Sequence, residues 1–95
     1  MKYSIILAPE AVENLQELRS NLRALVRDGI IEHLSNEPEK VSKSRIKRLK
    51  GLDKPQFRLR IDDIRVYYDV NGDSVEILAI ITKELAFAWL ERHGK

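Results

Sequence analysis

The stretch that decides the fold is residues 57–72, which read FRLRIDDIRVYYDVNG. Apolar and charged side chains alternate through 57–61, as expected of a strand with one buried face. Asp62-Asp63 is a candidate two-residue turn, after which the apolar alternation resumes through 64–70. Asn71-Gly72 is the strongest hairpin signal in the chain. The stretch therefore predicts two antiparallel strands leading into a third.

The turn at Asp62-Asp63 fixes the register of the first hairpin. It places Arg60 opposite Arg65 and Arg58 opposite Tyr67, so every apolar residue of the two strands falls on one face. Two arginines directly opposite each other repel. Because local rules are most often broken at functional sites, this pair favours a functional explanation over a structural one.

The turn at Asn71-Gly72 leads into a third strand through residues 75–81. A two-residue turn there predicts that Tyr68 faces Val75 and that Glu76 lies opposite Tyr67.

Outward from this meander, the chain predicts a strand at 3–7 and a helix beginning at Pro9. Ser20-Asn21 breaks the helical pattern, which indicates a helical hairpin ending near Asn36. Residues 39–55 read as a long polar connection, and 84–93 as a short C-terminal helix. The fold class predicted is α+β, a single domain over residues 1–95 with an N-terminal strand, a helical hairpin, a three-stranded antiparallel meander and the short helix.

The charge is unevenly distributed along the 95 residues. Residues 40–60 hold nine of the 17 Lys and Arg and one acid, Asp53, so the rest of the chain is net acidic. Such a basic block is typical of a surface that meets a polyanion, although a solvated basic loop has the same composition. There is no cysteine and no apolar run of membrane-spanning length, so we expect a cytoplasmic protein without disulfides, metal or cofactor and without membrane contact.

Several local motifs resemble those of the RelE/ParE toxin family, in the same order and over almost the whole chain. Lys47-Arg48-Leu49-Lys50-Gly51 is similar to a K-x-L-x-G element, and residues 57–60 followed by 64–68 are similar to the paired arginine-bearing strands of the family hairpin. Lys83 stands where a terminal arginine or lysine is usual. Gln56 and Phe87 depart from a lysine and a tyrosine that active members often carry.

The resemblance implies a toxin of a type II toxin–antitoxin system that cleaves mRNA in the ribosomal A site through attack of a 2′-hydroxyl. A cognate antitoxin, mRNA and the ribosome are the implied partners. A ParE-like inhibitor of DNA gyrase is the alternative, as is a catalytically weak toxin that serves as an antitoxin-binding co-repressor.

The same resemblance assigns roles by position. The catalytic candidates that stabilise charge are Arg58, Arg65, Arg60 and Lys83, and the nucleic-acid-binding candidates are Lys47, Lys50, Lys54, Arg58 and Arg60. Arginine cannot act as a general base at neutral pH. The candidates for proton transfer are therefore Lys83, Glu84, Tyr67, Glu76 and His93, and the sequence does not decide among them.

Overall fold

The computed structural model describes residues 2–95, which form one five-stranded sheet and three helices. The elements in chain order are β1 (Ser4–Leu7), α1 (Pro9–Glu17), α2 (Ser20–Leu34), β2 (Ile46–Arg48), β3 (Phe57–Ile61), β4 (Ile64–Asn71), β5 (Ser74–Thr82) and α3 (Lys83–His93). The predicted α+β class is confirmed. None of the helices within residues 2–95 has the length and apolar character needed to cross a bilayer.

The sheet has the strand order β1-β5-β4-β3-β2. The first strand runs parallel to β5, and the other neighbours are antiparallel. Parallel neighbours need a long crossover between them, whereas antiparallel neighbours need only a turn. The helical hairpin and the strands β2, β3 and β4 fill the interval of sequence between β1 and β5.

The predicted register of the β3–β4 hairpin is confirmed. Arg60 pairs with Arg65, and Arg58 pairs with Tyr67. Asp62 adopts a positive φ of 55° in the turn, a conformation that aspartate tolerates better than most residues with a Cβ atom.

The predicted register of β4 against β5 is wrong. Tyr68 pairs with Ile77 rather than Val75, and Glu76 lies opposite Asp69 rather than Tyr67. The turn begins one residue later than predicted, because Gly72, at a φ of 59°, occupies its first central position.

A β-bulge in β5 at Leu78 shifts the pairing once more, so that Tyr67 faces Ala79. The backbone N–H of Ile80, just beyond the bulge, donates to Oδ1 of Asn14 on α1 at 2.9 Å. Beyond the bulge Ile80 points into the core, whereas the sequence alternation assigned that face to Ala79.

The basic connection contains a strand that the sequence analysis did not predict. β2 pairs antiparallel with β3, with Ile46 opposite Leu59 and Lys47 opposite Arg58. Ile46 is buried in the core, and the next residue, Lys47, lies on the other face of the sheet opposite Arg58.

The hydrophobic core lies between the helical hairpin and one face of the sheet. The hairpin contributes Ala11, Val26, Ile30 and Leu34, and the strands contribute the apolar set of alternate residues, including Leu59, Ile64, Val66, Tyr68 and Ile77. Gly29 permits the close approach of α2, because a Cβ atom there would lie 2.6 Å from Cδ1 of Ile61. The opposite face of the sheet is left for α3 and for the charged side chains.

Candidate phosphate-binding site

Five positively charged side chains share the face of the sheet that points away from the core. We call this set the cationic face; its members are Lys47, Arg58, Arg60 and Arg65, which the strand register places on one side, and Arg45, which lies just before β2 and is hydrogen-bonded to Arg60. Strand register puts them together, since cross-strand partners project to the same side of a sheet. Charged residues that are spread over 21 positions of the sequence thus meet on three adjacent strands.

None of these five side chains forms an ion pair within residues 2–95. Two lysines close to the sheet do form ion pairs there. Lys83 pairs with Asp63 and Lys54 with Asp69, each at 3.8 Å. The Arg65 guanidinium donates instead to the backbone carbonyl of Asp62 at 3.2 Å. Neither aspartate of the turn therefore forms an ion pair with these arginines.

Arg58 is at the centre of the cationic face and is the most constrained of its members. Its Nε is buried and has no hydrogen-bond partner within the described chain. Burial lowers the pKa of Arg58, and the positive charge of Arg65 lowers it further. An arginine remains charged at neutral pH despite such a shift. Arginine can donate two parallel hydrogen bonds to phosphate oxygens, which makes this half-buried cation a candidate phosphate-binding residue.

Tyr67 lies directly opposite Arg58 and is buried. Its ring stacks on the indole of Trp89 from α3, with 5.1 Å between centroids and 6° between planes. Burial raises the pKa of the Tyr67 hydroxyl, an effect that the nearby Arg58 only partly offsets. The hydroxyl is therefore protonated at neutral pH, and it can donate a proton or hydrogen bond but cannot act as a base.

Trp89 joins the site to the rest of the molecule. Its Nε1–H donates to Oε2 of Glu10 in the first turn of α1 at 2.9 Å, and the ring of His93 lies 5.0 Å from it. These three side chains line a cavity of about 320 Å³ together with Lys54. His93 is thus separated from Arg58 by two aromatic rings.

Lys54 is paired with a buried acid of β4. Asp69 is 5% exposed, and its Oδ1 accepts from the backbone N–H of Gln56 while Oδ2 lies near the Lys54 ammonium. Gln56 in turn accepts a hydrogen bond from the N–H of Val70. This cluster fixes the start of β3, two residues before Arg58.

The remaining predicted site residues are dispersed. Lys50 lies in an exposed turn after β2, and Glu84 is exposed in the first turn of α3. Lys83 stands at the opposite end of β4 from Glu76, paired with the turn carboxylate. Of the predicted set, the structure brings together Arg58, Arg60, Arg65, Lys47 and Tyr67 on one face. Lys54 and Lys83 are each paired with an aspartate, and Lys50, Glu84 and His93 are not part of that group.

Sequence reasoning missed Arg45 and Glu10. Arg45 meets Arg60 only because β2 exists, and a three-residue strand gives almost no periodic signal. Glu10 is read from the sequence as a favourable acid at a helix N-terminus, and nothing in its neighbourhood in the sequence indicates a bond to a tryptophan 79 positions away.

Comparison with known proteins agrees with this geometry. The chain resembles the toxin of the RelBE2 complex from Mycobacterium tuberculosis at 24% identity, with a TM-score of 0.74 over 86% of this chain and 99% of that one. It resembles the archaeal RelE–RelB complex from Pyrococcus horikoshii at 28% identity, with a TM-score of 0.65 over 87% and 97%. It also resembles a free-state mutant of the Escherichia coli toxin RelE at 19% identity, with a TM-score of 0.69 over 98% and 99%.

At the level of sequence, a search of curated proteins gave no significant match. The family described as the ParE toxin of type II toxin–antitoxin systems, parDE, matches residues 5–85, from the second residue of β1 into the first turn of α3. The chain therefore belongs to the ParE toxin family, and it is a toxin of a type II toxin–antitoxin system with a RelE-like fold.

Proposed function

We propose that this toxin acts on RNA, as a ribosome-dependent endoribonuclease that cuts mRNA and stops translation. The observation that carries the proposal is the cationic face, in which four positive side chains without an ion pair in the described chain lie around a half-buried Arg58. Like charges on neighbouring strands repel, and no ion pair within the described chain offsets this repulsion. It suits a ligand that brings its own negative charges in sequence, as a nucleic-acid backbone does.

The chemistry assigned to the site is stabilisation of charge. When a 2′-hydroxyl attacks the adjacent phosphorus, the phosphate gains negative charge, and Arg58 and Arg65 are placed to bind its oxygens. Tyr67 keeps its proton at neutral pH and stands opposite Arg58, so it is the candidate donor to the leaving 5′-oxygen.

The partner of the toxin is expected to be an antitoxin protein. Two of the similar structures are complexes of a toxin with its antitoxin. The chain exposes large apolar side chains that such a partner can cover, among them Phe87 at 72%, Leu85 at 60% and Ile31 at 54%. The antitoxin is expected to occlude the cationic face with acidic residues.

The test is cleavage in a purified translation system. Primer extension on an mRNA held on ribosomes should show cuts at fixed codon positions with the wild-type toxin. Arg65→Ala should lower the cleavage rate by about 100-fold or more, the effect of removing one donor that stabilises a transition state. Arg27→Ala, an exposed arginine on α2, is the matched control and should cleave normally.

A second candidate function is inhibition of DNA gyrase. It is favoured by one observation: within the described chain no carboxylate forms an ion pair with Arg58, and the charged groups that shift its pKa are Arg65, Tyr67 and Arg60, none of which is a general base at neutral pH. The same preparations should be incubated with gyrase and supercoiled plasmid. Stabilised double-strand breaks, together with intact mRNA in the ribosome assay, would replace the first proposal with the second.

A further inference from the structure

The cationic face is ordered in two rows that cross three strands. Arg45 lies opposite Arg60, whose backbone N–H donates to the Arg45 carbonyl at 2.9 Å, while Nη1 of Arg45 donates to the Arg60 carbonyl at 3.3 Å. Arg60 in turn pairs with Arg65. The first row is therefore three arginines wide.

The second row runs parallel to the first, two residues along each strand. It consists of Lys47, Arg58 and Tyr67, paired in that order. Residues two apart in a strand are separated by about 7 Å, and neighbouring strands by about 5 Å. The rows are thus spaced like consecutive phosphates in an extended single strand.

The first row also has an open depression beside it. A shallow cavity of about 370 Å³ is lined by Arg45, Arg60, Ser44 and the turn residue Asp62. Asp62 adds one carboxylate to this wall, so the depression is not uniformly positive. Its two guanidinium groups are exposed, in contrast with the half-buried Arg58 of the second row.

We propose that the two rows bind two consecutive phosphates of a single-stranded RNA, and that Arg45 holds the phosphate next to the one bound by Arg58. This inference rests on the proposed function, because it takes RNA as the ligand. A footprint about 10 Å wide and 7 Å long accommodates two phosphates of one strand and is too small to follow both strands of a duplex. Arg45 is thereby a binding residue that contributes affinity and register, while Arg58 meets the reacting phosphate.

The test measures binding apart from cleavage. A fluorescent 2′-O-methyl RNA heptamer lacks the attacking hydroxyl, and its affinity is measured by anisotropy over a series of salt concentrations. Arg45→Ala should weaken binding and reduce the slope of log K against log salt by about 0.7, the value for one lost phosphate contact on a single strand.

Arg48→Ala is the matched control. Arg48 is in the same strand as Lys47 but pairs with Phe57, over whose ring its guanidinium lies at 5.1 Å, so it points to the other face. This variant removes an equal charge and should leave the salt slope unchanged. Circular dichroism on both variants checks that they are folded.

A neutral linkage in the RNA identifies the phosphate. Heptamers that carry a single methylphosphonate at each position in turn are compared. At one position the neutral linkage should weaken binding to the wild type by the same factor as the Arg45→Ala substitution does on the unmodified heptamer. At that position the variant should be insensitive to the substitution, which is the signature of a shared contact.

Several outcomes would overturn the inference. They are an equal salt slope for Arg45→Ala and Arg48→Ala, a variant that stays sensitive to every neutral linkage, or a wild type that binds duplex DNA but no single-stranded RNA. Failure of the proposed function is distinct, because it appears as absent cleavage on ribosomes with the slope difference retained. Intact cleavage with equal slopes would reject only the role of Arg45.

Discussion

Arg58 carries a positive charge at a position where the protein offers it no counter-charge. Its Nε is buried without a partner in the described chain, and burial, followed by the charges of Arg65 and Arg60, lowers the pKa of Arg58. A pKa lowered by folding means that the charged form is less favourable in the folded chain than in the unfolded one. At neutral pH the charge of Arg58 therefore lowers the free energy of unfolding. Binding sites commonly retain such residues, which reduce stability but serve function.

Arg58→Met is expected to raise the free energy of unfolding by about 0.5–1 kcal/mol, because it removes repulsion across the strands and keeps an unbranched side chain. Urea unfolding at low salt measures the change. Arg48→Met is the control and should not be stabilising, since that guanidinium packs on the Phe57 ring and donates to the Gln56 carbonyl. A lower free energy of unfolding for Arg58→Met would contradict the prediction, because it would mean that Arg58 makes contacts that stabilise the fold.

Among the elements, α2 and β3 are fitted to each other at a single glycine. The sequence alone treats Gly29 as a cost to the helix, about 1 kcal/mol relative to alanine. The structure supplies the reason for it, since a Cβ atom would overlap Cδ1 of Ile61. The residue spacing predicted the helix, but only the packing of helix on sheet explains the glycine.

Gly29→Ala is expected to destabilise the protein by about 1 kcal/mol, because overpacking costs more than the gain in helix propensity returns. Ile61→Val removes the overlapping Cδ1, so the double variant should recover the loss and match or exceed the stability of Ile61→Val alone. The measurement is a double-mutant cycle by chemical unfolding. Additive effects of the two substitutions would contradict a direct contact.

Across the whole molecule, the two faces of one sheet are used for different purposes. One face packs on the helical hairpin, and the other carries the cationic face with α3 beside it. Tyr68 connects distant parts of the apolar side, because its hydroxyl donates to the carbonyl of Pro38, which follows α2, at 2.7 Å. Burial raises the pKa of Tyr68 well above its ordinary value.

A raised pKa has a definite consequence for alkaline stability. The unfolded chain ionises this tyrosine near its ordinary pKa of 10.0, while the folded chain does not. The stability from Tyr68 is thus fully present below pH 10 and is lost as the pH rises toward the pKa of the folded state. Tyr68→Phe should lose about 1 kcal/mol at pH 7, from the missing hydrogen bond, and show a shallower decline above pH 10.

The control for this prediction is Tyr3→Phe, in which a half-exposed tyrosine loses its hydroxyl. The two variants then have the same number of tyrosines. Its decline in the free energy of unfolding above pH 10 should follow that of the wild type more closely. Identical alkaline declines for Tyr68→Phe and the wild type would place the titrating group elsewhere.

The sequence by itself determined the α+β class, the helical hairpin and the register of β3 against β4. Alternation with period two and a two-residue turn leave only one pairing that buries every apolar side chain, so Arg58, Arg60 and Arg65 could be put on one face without coordinates. These features are local, and the chain encodes them within a few residues.

The tertiary structure decided what depends on contacts between distant segments. Next to the bulge in β5, the N–H of Ile80 donates to Asn14 on α1. The strand β2 is too short to show a period. Trp89 is positioned by its stacking on Tyr67 and its hydrogen bond to Glu10. Each of these contacts joins groups far apart in sequence, whose encounter depends on packing and not on local periodicity. For that reason the shared face of the arginines of β3 and β4 could be predicted from the sequence. The positions of Arg45 beside Arg60 and of Lys47 beside Arg58 became known only from the folded sheet.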